Sequence, residues 1–234
     1  MNERRIVRRA RDNPFAVERV LRLRYRFRND DWSSLLNRLQ TLSYCAAIVG
    51  PKGSGKTTLL EDLAARLETR GLRIHRLFLN EQSRAYPASF VRCVRDSLSE
   101  RDIILFDGCE QLSLPAWWRF RWETRRAGGL VITTHRPHRL PTLIECQTTR
   151  ELFGELVRSL HDPTTLAPDT LDRLFEKHHG NLRDAIRELY DLAAREPGSG
   201  LQISFLASQS TPDSLLTPPF QPTSHPIRGT KNEI

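Results

Sequence analysis

Two hydrophobic periods share this chain. Near the start, Leu21, Leu23, Tyr25 and Phe27 alternate with Arg22, Arg24, Arg26 and Arg28. A period of two is the mark of a strand with one apolar and one charged face. Asp30 or Asp31 then stands where a cap is needed for a short helix carrying Leu35, Leu36 and Leu39. From residue 44 the pattern changes. Residues 44–49 are a short apolar run ending in Gly50, the signature of a buried strand. Leu59, Leu63 and Leu67, with Leu60 and Ala64 beside them, repeat at helical spacing until Gly71, a residue suited to the position after a helix. Residues 73–79 predict a strand, 88–99 a helix, 102–107 a third strand, 130–134 a fourth and 143–146 a short fifth. Pro115 is placed to open a helix, and Gly128 and Gly129 to close it. Strands alternating with helices predict an α/β fold: a mostly parallel five-stranded sheet covered by helices on both faces.

Beyond residue 148 the reading becomes all-helical. Thr148 and Glu151 make a capping-box pattern before Leu152, Phe153, Leu156, Val157 and Leu160. Leu171, Leu174 and Phe175 mark a second helix, stopped by Gly180. Asn181 caps a third, whose buried face is Leu182, Ala185, Ile186 and Leu189. Four regions result: a basic arm with a short helix (1–40), an α/β core (41–147), a small C-terminal helical lid (148–195) and a Pro/Ser/Thr/Gly-rich tail expected to be mostly disordered (196–234).

Composition adds three points. The formal net charge of +8 suits a nucleic-acid partner, but only four of the 36 basic residues are lysine, a skew that coding bias also produces. Cys45, Cys93, Cys109 and Cys146 lack metal-site or disulfide spacing and read as apolar residues of a reducing compartment, the cytoplasm by default. No run of about 18 apolar residues marks a membrane span.

One motif carries specific chemistry. Gly50, Pro51, Lys52, Gly53, Ser54, Gly55, Lys56 and Thr57 match G-x-x-x-x-G-K-[ST], after a strand and before an amphipathic helix that Thr58 continues. Its glycines let backbone N–H groups converge on phosphate oxygens, and the helix dipole adds positive potential. Lys56 is expected to reach the β- and γ-phosphates of ATP, or of GTP, and the Thr57 hydroxyl to ligate Mg²⁺. Asp107 ends an apolar strand about fifty residues on and is the second expected Mg²⁺ partner.

These motifs resemble those of AAA+ P-loop ATPases of the clamp-loader and origin-recognition type, over roughly residues 40–195. The resemblance implies a polar sensor of the γ-phosphate at the end of the 130–134 strand, where Thr133, Thr134 and His135 stand, Thr134 and His135 being the assigned pair. The Thr-His pair also looks like the switch histidine of ABC ATPases, although no LSGGQ-type signature accompanies it. His179-Gly-Asn-Leu-Arg183 resembles the sensor 2 turn that opens a lid helix, which makes Arg183 the candidate that reaches the γ-phosphate. Such ATPases carry a catalytic glutamate directly after the strand-end aspartate. Here that position is Gly108, and Glu110 is the nearest carboxylate able to polarise water, the alternative being a solvated turn residue. Arg136 and Arg139 are candidates for an arginine offered to a neighbouring subunit.

Between Ala116 and Arg126 aromatic residues mix with arginines. Trp118 and Trp122 share one helix face and are expected in the core, leaving Trp117 or Phe120 exposed to a partner. The expected activity is ATP binding and hydrolysis that regulates or assembles a protein partner or DNA, with a homo-oligomer left open. A non-hydrolysing nucleotide sensor and a small-molecule P-loop kinase are the alternatives.

Overall fold

The structure is a computed structural model that describes residues 13–82, 90, 98–161, 166 and 169–195. The first twelve residues, most of the helix expected at 88–99, Cys93 and the 196–234 tail lie outside the described residues. The described residues belong to one compact unit.

Five strands form one sheet: β1 (Cys45–Val49), β2 (Arg73–Phe78), β3 (Asp102–Asp107), β4 (Gly129–Thr134) and β5 (Thr142–Glu145). Their order is β2-β3-β4-β1-β5, and every pairing is parallel. Helices α1 (Val17–Val20), α2 (Trp32–Thr41), α3 (Lys56–Glu68) and α4 (Leu114–Glu123) are followed by α5 (Arg150–Leu160), α6 (Thr170–Lys177) and α7 (Leu182–Arg195).

Strand alternation sorts the core into layers. Ala46, Ile48, Ile103, Leu105 and Val131 face α2 and α3 and meet Leu35, Leu39, Leu59, Leu63 and Leu67. Ala47, Val49, Ile104, Phe106, Leu130 and Ile132 point the other way, onto Trp117 and Phe120 of α4. Phe153, Val157, Leu174, Leu182, Ala185 and Leu189 make a third cluster within the C-terminal helices. Among the described residues no helix is long and apolar enough to cross a membrane.

Several local expectations shift. Residues 21–28 pair with no strand, yet their alternation is real: Leu23, Tyr25 and Phe27 are half-buried while the arginines between them are exposed. The apolar face docks on the layer of α2 and α3 instead of joining the sheet. Tyr25 N–H donates to Asp62 Oδ2 at 2.9 Å, Arg24 pairs with Asp62 Oδ1 at 2.9 Å, and Arg26 approaches Glu155 at 3.5 Å. The charges of this segment are thus met in part by the chain's own carboxylates. Asp31 caps α2, accepting from Ser34 N–H at 2.9 Å.

The capping residue of α5 is Thr149, whose hydroxyl accepts from Leu152 N–H, so Thr148 and Glu151 form no capping box. Glu151 then falls at the second helical position, one short of where the box needs it. Helix α4 ends at Glu123, and Gly129 belongs to β4. A Cβ on Gly128 would lie 1.8 Å from the Glu100 carbonyl oxygen, so that glycine serves a close backbone approach and not a helix stop.

The tryptophans are reversed. Trp117 and Phe120 are buried at 3% and 0% exposure, whereas Trp118 and Trp122 stand 68% and 57% exposed. Both pairs lie on plausible helix faces, and the sheet takes the face whose two rings, one turn apart, fit over Phe106 and Ile132.

Candidate functional site

The loop between β1 and α3 is shaped by its glycines. Gly53 and Gly55 have φ of +77° and +83°, in the left-handed region that glycine enters without strain. Such turns aim successive N–H groups at one point, making an anion cradle at the start of α3. Lys56, only 8% exposed, folds back over the loop, and its Nζ donates to the carbonyl oxygens of Gly50 and Pro51, each at 2.8 Å. Burial lowers the lysine pKa, opposed by the charges of Glu110 and Asp107 and reinforced by that of Arg183. The negative charge of a phosphate in the cradle would offset this desolvation.

Parallel alignment brings the carboxyl ends of β1, β3 and β4 together, the edge at which open α/β sheets take ligands. Thr57 Oγ1 donates to Asp107 Oδ2 at 2.8 Å, as the paired reading of these residues requires. Thr133 donates to Asp107 Oδ1 and accepts from Gly108 N–H at 2.9 Å. Thr133 is therefore the threonine that meets the strand-end aspartate. Thr134, expected from the resemblance to sense a γ-phosphate with His135, donates to the Arg136 carbonyl at 3.0 Å. The cause is strand parity: Val131 and Thr133 face α3, and Thr134 points to the opposite layer. A hydroxyl, a carboxylate and a second hydroxyl in contact form an all-oxygen donor set, the chemistry of a hard cation such as Mg²⁺.

Around this edge lies a cleft of about 360 Å³ lined by residues of five segments, one of them the stretch from Phe78 to Gln82 at the end of β2. The loop contributes Lys52, Gly53, Gly55, Lys56 and Thr57; β3 and its turn contribute Asp107, Gly108, Glu110 and Gln111; Thr133 and His135 come from the end of β4; Arg183 comes from the first turn of α7. Glu110 Oε1 lies 3.4 Å from His135 Nε2, and its Oε2 is buried with no hydrogen-bond partner. Gly108 has φ +79°, and a Cβ there would come within 2.1 Å of the Leu79 carbonyl oxygen. No side chain fits at that position, and Glu110 is the next carboxylate along the turn.

Of the residues named from the sequence, Lys52, Gly53, Gly55, Lys56, Thr57, Asp107, Glu110, His135 and Arg183 all line the cleft. Gly50 and Pro51 line a neighbouring cavity, and Ser54 and Thr58 a third. Arg139 is committed within its own chain, donating to the carbonyls of Cys109 at 2.7 Å and Leu112 at 2.6 Å, which removes it as an arginine for a neighbour. Arg136 is exposed.

Sequence reasoning missed the third cavity. It is an apolar recess of about 180 Å³ beside Gly53 and Gly55, walled by Leu23 and Tyr25 on one side and Leu152, Leu156, Leu182 and Ile186 on the other. The Tyr25 ring packs within 3.6 Å of where a Gly55 Cβ would stand, and its hydroxyl bonds Cys146 Sγ at 3.4 Å, with burial raising the pKa of both groups. Only long-range packing assembles these walls, so no spacing could reveal them. Across the loop, a Cβ on Gly53 would fall 2.0 Å from Asn181 Oδ1, which puts the cap of α7 directly on the phosphate loop.

A glycine-rich loop after β1, an aspartate ending β3, a threonine on the strand between them and an arginine from the start of α7 thus meet at one edge of an all-parallel α/β sheet. No protein-family profile matches the chain, and no curated protein is similar to it in sequence. Among solved structures it is similar to RuvB of Thermotoga maritima, described as a Holliday junction branch migration motor, with 18% identity, a TM-score of 0.46 and 74% of this chain against 65% of that one. A single-residue variant of the same protein gives 20% identity and a TM-score of 0.44, covering 68% and 59% of the two chains. This chain thus spans about three fifths of the RuvB chains it matches.

Proposed function

We propose that the chain binds ATP with Mg²⁺ in this cleft and hydrolyses it as an AAA+-like switch that regulates or assembles a macromolecular partner. The observation that carries the reading is convergence. The phosphate loop, the Thr57–Asp107 pair and Arg183 come from distant parts of the chain and line one cleft. Thr57 and Asp107 would hold Mg²⁺, whose charge offsets that of the β- and γ-phosphate oxygens. Lys56 exchanges its two carbonyl partners for phosphate oxygens. Thr133 orients the Asp107 carboxylate. Glu110 is the general base for water, with His135 beside it as the γ-phosphate sensor. Arg183 ties phosphate occupancy to the position of α7 and hence of the α5–α7 lid, an order of events typical of nucleotide switches. The apolar recess beside the loop suits the nucleobase.

A non-hydrolysing sensor is the second reading, favoured by Gly108, which removes the usual carboxylate position. The partner is a protein or DNA, RuvB being described as a motor on a DNA junction. In a homo-oligomer, Arg136 is the candidate for a neighbour's cleft. Cys45, Cys109 and Cys146 are free thiols, which suits the cytoplasm.

Calorimetric titration with ATP and ADP, beside steady-state turnover, tests the reading. Lys56→Ala is expected to weaken nucleotide binding more than tenfold, at least about 1.4 kcal/mol, with the circular dichroism unchanged. Glu110→Gln is expected to cut turnover about a hundredfold while affinity stays. Affinity within about twofold of wild type in Lys56→Ala would sink the site. Tight binding with no turnover in the wild type would select the sensor reading.

A further inference from the structure

Helix α4 has two apolar faces, and the fold uses one. Trp117 and Phe120 are in the core. On the other side Leu114, Trp118 and Trp122 are 66%, 68% and 57% exposed. Four-residue spacing aligns them in a single ridge, about 12 Å long at 1.5 Å per residue. Three large apolar side chains in one exposed line are an interaction surface, not scattered exposure.

The charges along this helix and its exit are mostly positive. Between Ser113 and Gly128 the only carboxylate is Glu123, and it already accepts from Arg119 at 3.0 Å. Arg125 and Arg126 are exposed at the C-terminal end of the ridge. The Arg125 guanidinium lies 4.5 Å over the Trp122 ring, and its N–H groups also reach the Trp122 carbonyl at 3.0 Å. Tryptophan and arginine together are the residues most often found at the energetic centre of protein interfaces.

We propose that this ridge docks an amphipathic helix of a partner protein whose apolar groove is flanked by Asp and Glu. A ridge of i, i+4, i+8 side chains is the element that inserts between the equivalent ridges of a facing helix. The arginines supply the matching charge. Single-stranded nucleic acid fits less well. Bases stack on open ring faces along a basic groove, but Arg125 covers a face of Trp122, Leu114 offers no ring, and the surface is the convex side of a helix. The inference names the partner class that the nucleotide-switch reading leaves open. Its test uses nucleotide-free protein, so the two readings fail separately.

The probe is a fluorescein-labelled 18-residue synthetic helix with leucines on one face and glutamates flanking them, titrated by anisotropy with the full chain. The expected Kd is on the order of tens of micromolar. Trp118→Ala and Trp122→Ala are each expected to weaken binding at least about fivefold, with circular dichroism unchanged because both rings are outside the core. The same peptide flanked by lysines is expected to bind at least about tenfold more weakly. Four results would overturn the proposal: no saturable binding of the glutamate peptide up to about 1 mM, unchanged affinity in both variants, binding of labelled dT20 that Trp118→Ala abolishes, or a concentration-dependent dimer that the same substitution dissolves.

Discussion

Strand β3 carries an aspartate at each end, and the two live differently. Asp102, at the amino end, is 1% exposed and fully engaged. It accepts from Ser99 N–H at 2.7 Å, Ser99 Oγ at 2.6 Å, Arg73 at 2.6 Å and His75 Nε2 at 2.8 Å. Burial disfavours its charged form, but these hydrogen bonds outweigh it and hold the pKa well below the usual carboxylate range. Asp107, at the carboxyl end, accepts from two threonine hydroxyls among the described residues and opens on a cleft. A carboxylate saturated by its own chain is a staple of the fold. One held in place by neutral hydroxyls, with a cleft before it, is available to a cation. The two ends of a single strand thus hold one carboxylate that is saturated and one that faces a cleft.

Exchanging the two roles by mutation gives the largest expected effects. Asp107→Ala should reduce Mg²⁺-dependent ATP turnover by on the order of a hundredfold or more, the size expected when a directed charge is removed from a transition state. Thermal stability should barely move. Asp102→Ala should do the reverse: about 2 kcal/mol of stability lost, because half-buried His75 and the amino end of β3 lose the acceptor that ties them together, while nucleotide affinity stays. Chemical denaturation and turnover measured on both variants decide it, and a shared phenotype would break the comparison. Acidity sharpens it further. A depressed folded pKa contributes stability that is fully present above the unfolded value, about 3.9, and is lost as pH falls below it. The stability gap between wild type and Asp102→Asn should therefore be full at about pH 6 and shrink below about pH 4.

What the sequence revealed follows the same divide between local and long-range causes. The phosphate loop was legible because its chemistry lies in one run of backbone: two glycines, a lysine and a helix start. Asp107 was legible because its strand is apolar to the last residue. Arg183 was legible because a Gly-Asn turn announces the helix that carries it. The contact of Thr133 with Asp107 was not legible, because the face a strand residue takes depends on its neighbours. The tryptophans of α4 were reversed because Leu114-Trp118-Trp122 and Trp117-Phe120 both have helical spacing, and only the sheet chooses between them. The recess at Tyr25 was invisible, since it joins residues more than a hundred positions apart.

Gly108 tests whether the carboxyl end of β3 is shaped by backbone and not by selection of a side chain. Its left-handed φ and the Leu79 carbonyl oxygen 2.1 Å from a would-be Cβ leave no room for alanine. Gly108→Ala should cost about 2 kcal/mol and should disturb the N–H that donates to Thr133, lowering turnover as well. Gly71, also at positive φ but with nothing within 4 Å, is the control. Gly71→Ala should cost about 1 kcal/mol from its backbone strain alone and leave turnover intact. Equal losses of stability and activity in both variants would remove the special status of the turn.

The smallest expected effect lies farthest from the strand, at Arg183. The side chain lines the cleft with Lys56, and its charge already bears on that lysine. Asn181 caps α7 beneath it, accepting from Asp184 N–H at 3.3 Å, and rests on Gly53. Position and cap together place a cation at the mouth of the phosphate site without joining it to the loop. Such a group should favour the nucleotide with the greater charge at its far end. Arg183→Ala should therefore narrow the preference for ATP over ADP about fivefold, or about 1 kcal/mol, with ADP affinity nearly unchanged. The difference between the two titrations is the decisive quantity, because a fold defect would weaken both nucleotides alike. Arg183→Lys should restore part of the preference, since the charge returns without the planar, two-point grip of the guanidinium. An unchanged ratio in Arg183→Ala would return the arginine to the solvent-facing side of α7 and confine nucleotide recognition to the two carboxyl-edge strands and the loop between β1 and α3.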